Sequence, residues 1–572
     1  MFYRTNLIKG LVTALIIISF SIPYLLLMVE IKKDVYNFDH FNWLLSLGKF
    51  CVYSLFAPLV FLLLLSIAKQ KKILTKVSAV LYIIAYFAAL LFILIYYKYF
   101  GFIPHYKVLS RAYEGSHLLG QVYSQLMSYE EWAIFILLFV SIGLTFKYLS
   151  LPSTMRIKSN IKVLIIVIAV VGNVGLVAFQ NFRYGSSDVL VKLGSSAAVL
   201  HLGLLPVYKE IISYEMSYEK KDYPYPGKIN RDNVRQDNIA RFENANVVIV
   251  QIESLEKQAV DYRINGKLVM PFLHKFKSRS VYFTNFFAQH SGGASTDADL
   301  GMLASLLPLR NQVGLFSADY SRIATVVEVL KEKSYKSFAM NPIDGQFFNK
   351  NSSYPRVGLD KFYDEPYYSD QAKGWYSKDR DFYEQSMDII KKQSSPFFAY
   401  IINIQSHGPF KNYYDSTKDN FDLKNSGLSN LQIDYLMSMN EIDRALEYLY
   451  STLKDTGLMD NTMLLIYGDH AGRAIEDNNC LAECVPLFVY HKRLSPYMSP
   501  APGSHLDLAP TILDLLNIPE PSGWLGTSLF YRGRKTVLFN DFTTIESDQN
   551  KLIKGKSLDY EPHLNYSNSL VK

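Results

Sequence analysis

Cysteine is scarce in this sequence, with three in 572 residues. Cys51 lies within an apolar run, where a free thiol packs like a small apolar side chain. Cys480 and Cys484 lie in the later, more polar part of the chain. They can form a disulfide if that part is exported, although a spacing of four on a helix is only marginally suited to one. Two thiols are too few for a cysteine-bound zinc, so a fold built on zinc or on several disulfides is excluded.

Long blocks of basic residues are also absent. The chain has 59 Lys and Arg against 52 Asp and Glu, a net charge of +7. No cluster is long enough to predict a nucleic-acid-binding arm, and the excess is better explained by loops that face an anionic membrane surface. The sequence therefore predicts a membrane, and no nucleic acid, as a partner.

Apolar residues are unevenly distributed along the chain. The first third contains five runs that approach or exceed the ~20 residues needed to cross a bilayer. The first run lacks a clear small-residue cleavage site, and four more follow, so we interpret it as an anchor and not a signal peptide. Residues 1–180 are therefore predicted to form a five-helix transmembrane domain. The runs are 7–28, 43–68, 74–97, 132–149 and 161–180.

Lys and Arg residues are asymmetrically placed between these runs. The N-terminal end and the second and fourth loops carry more of them than the first and third loops. By the positive-inside rule, the N-terminus is cytoplasmic. An odd number of spans then places everything after residue 180 on the extracellular or periplasmic side of a multi-pass membrane protein.

The later part of the chain has the pattern of a soluble domain. Residues 181–243 are predicted to be a linker, since a Tyr-Pro-Tyr-Pro-Gly cluster at 223–227 breaks regular structure. From 244 onward, short apolar runs rich in β-branched residues alternate with helical patterns. This alternation predicts an α/β domain over residues 244–572 with a mostly parallel central sheet, whose site lies at the carboxyl ends of the strands.

Residues suited to metal-assisted chemistry follow two of the predicted strands and precede one helix. Glu253 follows the first strand, Asp469 and His470 follow the third, and Ser295 and Thr296 stand just before an apolar helical stretch. A divalent ion would lower the pKa of a hydroxyl and neutralise phosphate oxygens. The pattern therefore predicts one ion held by Glu253, Ser295, Asp469 and His470.

Taken singly, each of these residues also has a structural interpretation. The Gly-Gly-Ala-Ser-Thr-Asp loop at 292–297 can be a helix cap, and caps are far commoner than nucleophiles. Glu253 can be a neighbour of a cap, and His407 a hydrogen-bonded structural histidine. The combination of ligand-type residues at successive strand ends is what favours a site.

Four segments, taken in order, resemble the lipoteichoic acid synthase family, which are phosphoglycerol transferases of the sulfatase branch of the alkaline phosphatase superfamily. The resemblance implies a bacterial enzyme of the cytoplasmic membrane and an alkaline-phosphatase-like fold for the soluble domain. The segments are 250–254, 293–297, 397–410 and 467–470.

The resemblance also implies a reaction. Glu253, Asp469 and His470 would bind the metal, which is typically manganese in that family, with zinc or magnesium as alternatives. The family's nucleophile is usually threonine; alignment places Ser295 there and leaves Thr296 as a second choice. The head group of phosphatidylglycerol would be transferred through a covalent intermediate to a glycan or polyglycerolphosphate acceptor, releasing diacylglycerol.

Substrate residues carry over less cleanly. Phe348 stands where the family has a Trp and therefore lacks the indole N–H. Lys350 stands where the family has an Arg, so it keeps the positive charge but cannot donate two parallel hydrogen bonds to a phosphate. His407 matches a substrate-side histidine and is suited to phosphate binding or acid/base work. Arg473 is close to the metal pair in sequence and is a further candidate for phosphate binding. His505 resembles a metal- or phosphate-facing histidine of other branches, with a helix-capping segment as the alternative.

Two further comparisons narrow the subclass. Asn403 and His407 are spaced as Asp and His are in two-metal members of the superfamily, and the change from Asp to Asn favours a single metal ion.

A sulfatase is disfavoured because residues 295–299 lack the Pro and Arg of its motif. A phosphoethanolamine transferase remains the alternative enzyme, although such enzymes usually carry several disulfides. A catalytically silent relative is disfavoured because the three metal ligands are present.

Overall fold

The computed structural model consists of two compact units, Met1–Glu219 and Lys220–Lys572. The described residues are 2–34, 54–67, 72–100, 129–150, 204, 207–208, 223–231, 233–236, 238–290, 295–309, 315, 320–345, 350–408, 410–475, 480–533, 535–548 and 551–571.

The described part of the first unit contains four apolar helices. Phe20 on the first of them packs against Phe61 and Phe87 from two others. Polar side chains between helices are hydrogen bonded: Ser141 donates to Ser19 at 2.9 Å, and the Tyr86 hydroxyl donates to the Phe20 carbonyl at 3.0 Å. Within an apolar solvent such pairing is what makes a buried hydroxyl tolerable. The helices are α1 (Phe2–Asp34), α2 (Phe56–Ile67), α3 (Lys72–Phe100) and α4 (Tyr129–Ser150).

Three of the helices in the described part of this unit are long and apolar enough to cross a membrane: Gly10–Val29, Thr75–Tyr97 and Glu131–Ser150. They coincide with the first, third and fourth predicted spans, which are confirmed as apolar helices of spanning length. The second predicted span, 43–68, is described only from residue 54 and there contains α2, which has 12 residues. The fifth, 161–180, lies outside the described residues.

The second unit is built around an eight-stranded sheet in the order β11-β5-β10-β9-β2-β8-β6-β7. Its central strand β2 is buried along its whole length and is rich in Val and Ile, as expected for a strand covered on both faces. The strands of the unit are β1 (Val234–Arg235), β2 (Asn246–Ile252), β3 (Arg263–Ile264), β4 (Lys267–Leu268), β5 (Val281–Phe287), β6 (Lys336–Met340), β7 (Lys361–Tyr363), β8 (Phe397–Ile402), β9 (Thr462–Gly468), β10 (Leu487–Tyr490), β11 (Tyr497–Ser504), β12 (Tyr531–Arg532), β13 (Thr536–Leu538), β14 (Thr543–Asp548) and β15 (Lys551–Lys556).

The central sheet is mixed, because β10 pairs antiparallel with both β9 and β5 while the other pairings are parallel. The sheet is thus mostly parallel, as predicted, but the sequence did not indicate that this strand runs in the opposite direction. Parallel neighbours need a crossover of a dozen or more residues, usually a helix. The described residues between β9 and β10 form no helix, so the chain turns back beside β9 and runs in the opposite direction.

Helices cover the sheet. The long helix α10 begins with a capping box, in which Ser429 and Gln432 satisfy each other's backbone N–H groups. Its apolar side chains, such as Leu446, share one core with those of α9 and of the sheet, including Val248. The helices are α5 (Pro271–Phe276), α6 (Ser295–Ala304), α7 (Val326–Glu332), α8 (Lys350–Arg356), α9 (Asp379–Ile390), α10 (Asn430–Asp455), α11 (Leu508–Leu515) and α12 (Glu561–Val571).

Part of the predicted linker 181–243 belongs to this second unit. The Ile229 N–H donates to the Leu525 carbonyl, and β1 pairs antiparallel with β12. Lys228 and Glu520 form an ion pair. The described residues from 223 to 243 are therefore part of the folded unit.

Candidate active site

The carboxyl ends of β2 and β9 form one edge of the site. The two strands are parallel and hydrogen bonded, with Ile252 opposite Gly468. Glu253 and Asp469, which follow directly, are consequently neighbours. The Asp469 N–H donates to the Ile252 carbonyl at 3.2 Å, and the Ser254 N–H donates to Asp469 Oδ1 at 2.8 Å.

Gly468 is required for this close approach. A Cβ atom at that position would lie 2.4 Å from the Leu255 carbonyl oxygen, well inside van der Waals contact. The absence of a side chain thus lets the two strand ends converge.

Ser295 begins α6 and points its hydroxyl at the same edge. Its Oγ donates to Glu253 Oε2 at 2.9 Å and lies 3.4 Å from His470 Nε2. His470 Nε2 is in turn 3.2 Å from Glu253 Oε1. Potential ligand atoms of Glu253, Asp469 and His470 all lie within 4.8 Å of one another. The structure therefore brings together all four residues predicted to hold the ion. Thr296, the second choice for nucleophile, is fully buried at the next position of α6.

The electrostatics of this cluster fit a bound cation. Asp469 is fully buried, and burial together with the neighbouring Glu253 carboxylate raises its pKa to about 8. Burial alone would lower the pKa of His470, but the Asp469 and Glu253 carboxylates outweigh it and raise that pKa to about 10. Among the described residues, none donates a hydrogen bond to Asp469 Oδ2, although His470 Nε2 lies 3.6 Å away as an ion-pair partner. A buried carboxylate is stabilised by a nearby positive charge, and a divalent ion would supply more of that charge than the imidazolium does. The Glu, Asp, His and Ser donor set suits manganese, zinc or magnesium.

His407 lies beyond the end of β8. Its Nδ1 is 3.0 Å from the Gly408 carbonyl oxygen, and its ring packs edge-on against Trp375 with centroids 4.9 Å apart. Burial lowers the pKa of His407 to about 4, so the imidazole is neutral at pH 7. Sequence reasoning missed Trp375, whose position in a loop carries no motif.

Lys350 is buried, and its ion-pair partner is Asp299, which is not one of the proposed metal ligands. Its Nζ is 3.7 Å from Asp299 Oδ2. The same carboxylate accepts hydrogen bonds from the Tyr400 hydroxyl at 2.5 Å, the Tyr354 hydroxyl at 2.9 Å and Gln251 Nε2 at 3.0 Å. The structure thus places the predicted phosphate-binding cation in a buried ion pair. Phe348 lies outside the described residues.

His505 is fully buried and bonded to backbone atoms at both ring nitrogens. Its Nε2 is 3.0 Å from the Gly468 carbonyl oxygen, and its Nδ1 accepts from the Gln289 N–H at 3.1 Å. Burial lowers its pKa to about 4. In this arrangement the ring holds the end of β9 and the segment after β5 together.

Arg473 directs its guanidinium towards Glu483, with Nη2 3.6 Å from Oε2. Glu483 also lies 3.0 Å from His290 Nε2. The sequence analysis missed both of these partners. His290 had a detectable signal, because it stands shortly after an apolar strand end, as Glu253 does. Cys480 and Cys484, on either side of Glu483, form a disulfide, a pairing that the sequence left open.

The chain is similar in sequence to several known proteins. Residues 245–518, most of the second unit, match the family described as Sulfatase, so this unit resembles a sulfatase-type domain. The chain is 28% identical over 386 residues to lipoteichoic acid synthase 2 of Bacillus subtilis (strain 168), covering 62% of this chain and 58% of that protein. It is 29% identical over 335 residues to lipoteichoic acid synthase of Staphylococcus aureus (strain USA300), covering 54% and 51%. The resemblance to the lipoteichoic acid synthase family is therefore confirmed.

Among solved structures, the lipoteichoic acid synthase LtaP from Listeria monocytogenes aligns with a TM-score of 0.49 and 21% identity, over 59% of this chain and 94% of that one. This chain spans a little over half the length of the curated relatives that it matches.

Proposed function

We propose that this protein is a membrane-bound phosphoglycerol transferase. It moves glycerol phosphate from phosphatidylglycerol to a glycan or polyglycerolphosphate acceptor through a covalent intermediate on Ser295. The observation that carries the proposal is the Ser295 hydroxyl, which lies 2.9 Å from Glu253 and 3.4 Å from His470 within the cluster that fits a metal ion. The named relatives, which are lipoteichoic acid synthases, support the same class of reaction.

Glu253, Asp469, His470 and the Ser295 hydroxyl would hold one divalent ion, for which we propose Mn²⁺ ahead of Zn²⁺ or Mg²⁺. When bound, the ion supplies positive charge that lowers the pKa of the serine hydroxyl and offsets the charge on phosphate oxygens. Glu253 Oε2 accepts the Ser295 hydrogen bond and so fixes the direction of Oγ. Ser295 is the first residue of α6, and the N–H groups in the first turn of a helix favour an anion.

The transfer has two steps. Ser295 Oγ forms a bond to phosphorus while the bond from phosphorus to the diacylglycerol oxygen breaks, and that oxygen gains the serine proton. An acceptor hydroxyl oxygen then displaces Oγ at phosphorus, and its proton returns to the serine. His407 is neutral and donates from Nδ1 to the Gly408 carbonyl, so Nε2 is an acceptor. We assign this nitrogen to a hydroxyl of the head group or of the acceptor.

We further propose that the N-terminus is cytoplasmic and that the unit beyond residue 219 works outside the bacterial cytoplasmic membrane. The Cys480–Cys484 disulfide supports this side, because disulfides persist in oxidising compartments.

The identity of the lipid head group that the protein transfers is tested by measuring turnover of two lipids. Full-length protein in detergent with Mn²⁺ is given phosphatidylglycerol or phosphatidylethanolamine with a fluorescent acyl chain, and labelled diacylglycerol is measured. We expect release from phosphatidylglycerol only. Release from phosphatidylethanolamine alone would make the protein a phosphoethanolamine transferase. No release from either lipid, with Mn²⁺ or Zn²⁺ and with added glycans, would contradict the proposal and favour a silent relative.

Metal binding is tested separately from turnover. Because the ion binds the folded cluster, Mn²⁺ at 100 times its Kd should stabilise the second unit by about 2.7 kcal/mol. Unfolding of the full-length protein is followed by tryptophan fluorescence, with EDTA-treated protein as the reference. Asp469→Asn should lose the Mn²⁺-dependent rise in the unfolding midpoint. A rise of equal size in Asp469→Asn would show that Mn²⁺ binds elsewhere.

A further inference from the structure

Glu483 lies inside the short loop that the Cys480–Cys484 disulfide closes. Its carboxylate contacts two separate segments of the site. Oε1 accepts a hydrogen bond of 2.6 Å from the Ala471 N–H, directly after His470. Oε2 lies 3.0 Å from His290 Nε2 and 3.6 Å from the Arg473 guanidinium.

The disulfide loop is itself fastened to the sheet. The Glu483 carbonyl accepts from the Ala288 N–H at 2.9 Å, and the Cys484 carbonyl accepts from the Lys257 N–H at 3.3 Å. Cys484 also forms an isolated β-bridge with Phe287 at the end of β5. The position of the Glu483 side chain is thus determined by the loop that carries it.

The two contacted segments are the ones that position the reacting groups. Ala471 follows the metal ligand His470 in the chain. His290 precedes the nucleophile Ser295 by a few residues, and its ring packs edge-on towards the His470 ring with centroids 5.9 Å apart. One carboxylate therefore connects the metal-ligand segment to the segment that leads into α6.

Partners of this kind have a known physical effect. Side chains that hydrogen bond to metal ligands hold them in the geometry that the ion requires, and their loss typically weakens metal binding by about 10–100-fold. Glu483 bonds the N–H that follows His470 and not a ligand itself, so we expect an effect at the lower end of that range. A backbone N–H that loses its carboxylate partner in a partly buried place also becomes unsatisfied.

We propose that Glu483 is a positioning residue of the metal centre, held in place by the Cys480–Cys484 disulfide. It aligns His470 with Ser295 through Ala471 and His290. The inference rests on the proposed function only in that the cluster of Glu253, Asp469 and His470 binds a divalent ion.

The test measures Mn²⁺ affinity of the full-length protein from the Mn²⁺ dependence of its unfolding midpoint. Glu483→Ala should weaken binding by about 10-fold or more. Glu483→Gln keeps an acceptor for the Ala471 N–H but loses the charge that faces Arg473, so it should recover part of the affinity. Cys480→Ser combined with Cys484→Ser should behave like Glu483→Ala. Glu520→Gln, which breaks an ion pair elsewhere in the unit, should bind Mn²⁺ as the unsubstituted protein does.

Unchanged Mn²⁺ affinity in Glu483→Ala would overturn the proposal, as would an equal loss in Glu520→Gln. An equal loss in Glu483→Gln and Glu483→Ala would assign the effect to charge and contradict the role of the Ala471 hydrogen bond. Phosphatidylglycerol turnover is assayed in parallel. Protein that binds Mn²⁺ but releases no diacylglycerol would contradict the proposed function while the affinities still decide the role of Glu483. Absence of Mn²⁺, Zn²⁺ and Mg²⁺ binding would overturn both.

Discussion

Ser295→Ala is expected to reduce phosphatidylglycerol turnover by on the order of 10⁴-fold or more, because in the proposed reaction Ser295 Oγ forms the covalent bond to phosphorus. The Ser295 hydroxyl is the one that contacts Glu253 and His470. Ser295→Thr keeps a hydroxyl at the same position and should retain measurable activity. Diacylglycerol release is the measurement, together with mass spectrometry of the protein after brief exposure to phosphatidylglycerol.

The control for this variant is the neighbouring hydroxyl. Thr296→Val removes it from a fully buried position while nearly keeping the side-chain shape. We expect it to lower the unfolding midpoint because a buried hydroxyl is replaced, yet to retain the covalent adduct. An adduct of glycerol phosphate on Thr296, or full turnover by Ser295→Ala, would assign the nucleophile to Thr296.

The second large effect is expected at Asp299. Asp299→Ala would remove the acceptor shared by the hydroxyls of Tyr354 and Tyr400 and by Gln251, and it would leave the Lys350 ammonium buried without its carboxylate. Breaking a buried ion pair from one side typically costs about 3–5 kcal/mol. For a unit of this size the unfolding midpoint should fall by roughly 4–7 °C. Thermal unfolding of the full-length protein with EDTA, which removes the contribution of metal, is the measurement.

A double-mutant cycle separates the two possible roles of Lys350. If Lys350 serves the buried pair, Lys350→Met combined with Asp299→Ala should recover part of the lost stability, because the unpaired charge is gone. The alternative, taken from the sequence resemblance, is that Lys350 binds the phosphate of the lipid. It requires that Lys350→Met raise KM for phosphatidylglycerol without changing the unfolding midpoint.

The pairing of Lys350 with Asp299 shows why part of the site escaped prediction. The resemblance aligned Lys350 with a substrate-binding arginine through its position in the chain. Its contacts depend instead on how α8 packs beside α6, a relation between helices that a local motif does not contain. His505 is a similar case, because its partners, the Gly468 carbonyl and the Gln289 N–H, come from two other strand ends.

The metal ligands were predictable for a simple physical reason. A buried strand of a parallel sheet is marked in the sequence by a continuous β-branched run, and the carboxyl ends of neighbouring parallel strands share one edge. Glu253, Asp469 and His470 follow such runs, so their convergence required only that the strands be neighbours. The apolar helices of the first unit were predictable for a comparable reason. A helix that crosses a bilayer must be long and mostly apolar, whatever other helices it packs against.

The sequence by itself determined that apolar helices precede an α/β domain. It also determined which residues with metal-ligand side chains follow the strands, and that a Ser or Thr hydroxyl lies beside them. Each of these features depends on a local sequence pattern. Only the tertiary structure decided the reversed strand β10, the burial of Lys350 against Asp299 and the contacts of Glu483 with His290 and Ala471. These depend on side chains from distant segments meeting at one place. Such meetings are set by how the helices and loops close around the sheet, and hydrophobic periodicity along the chain does not specify them.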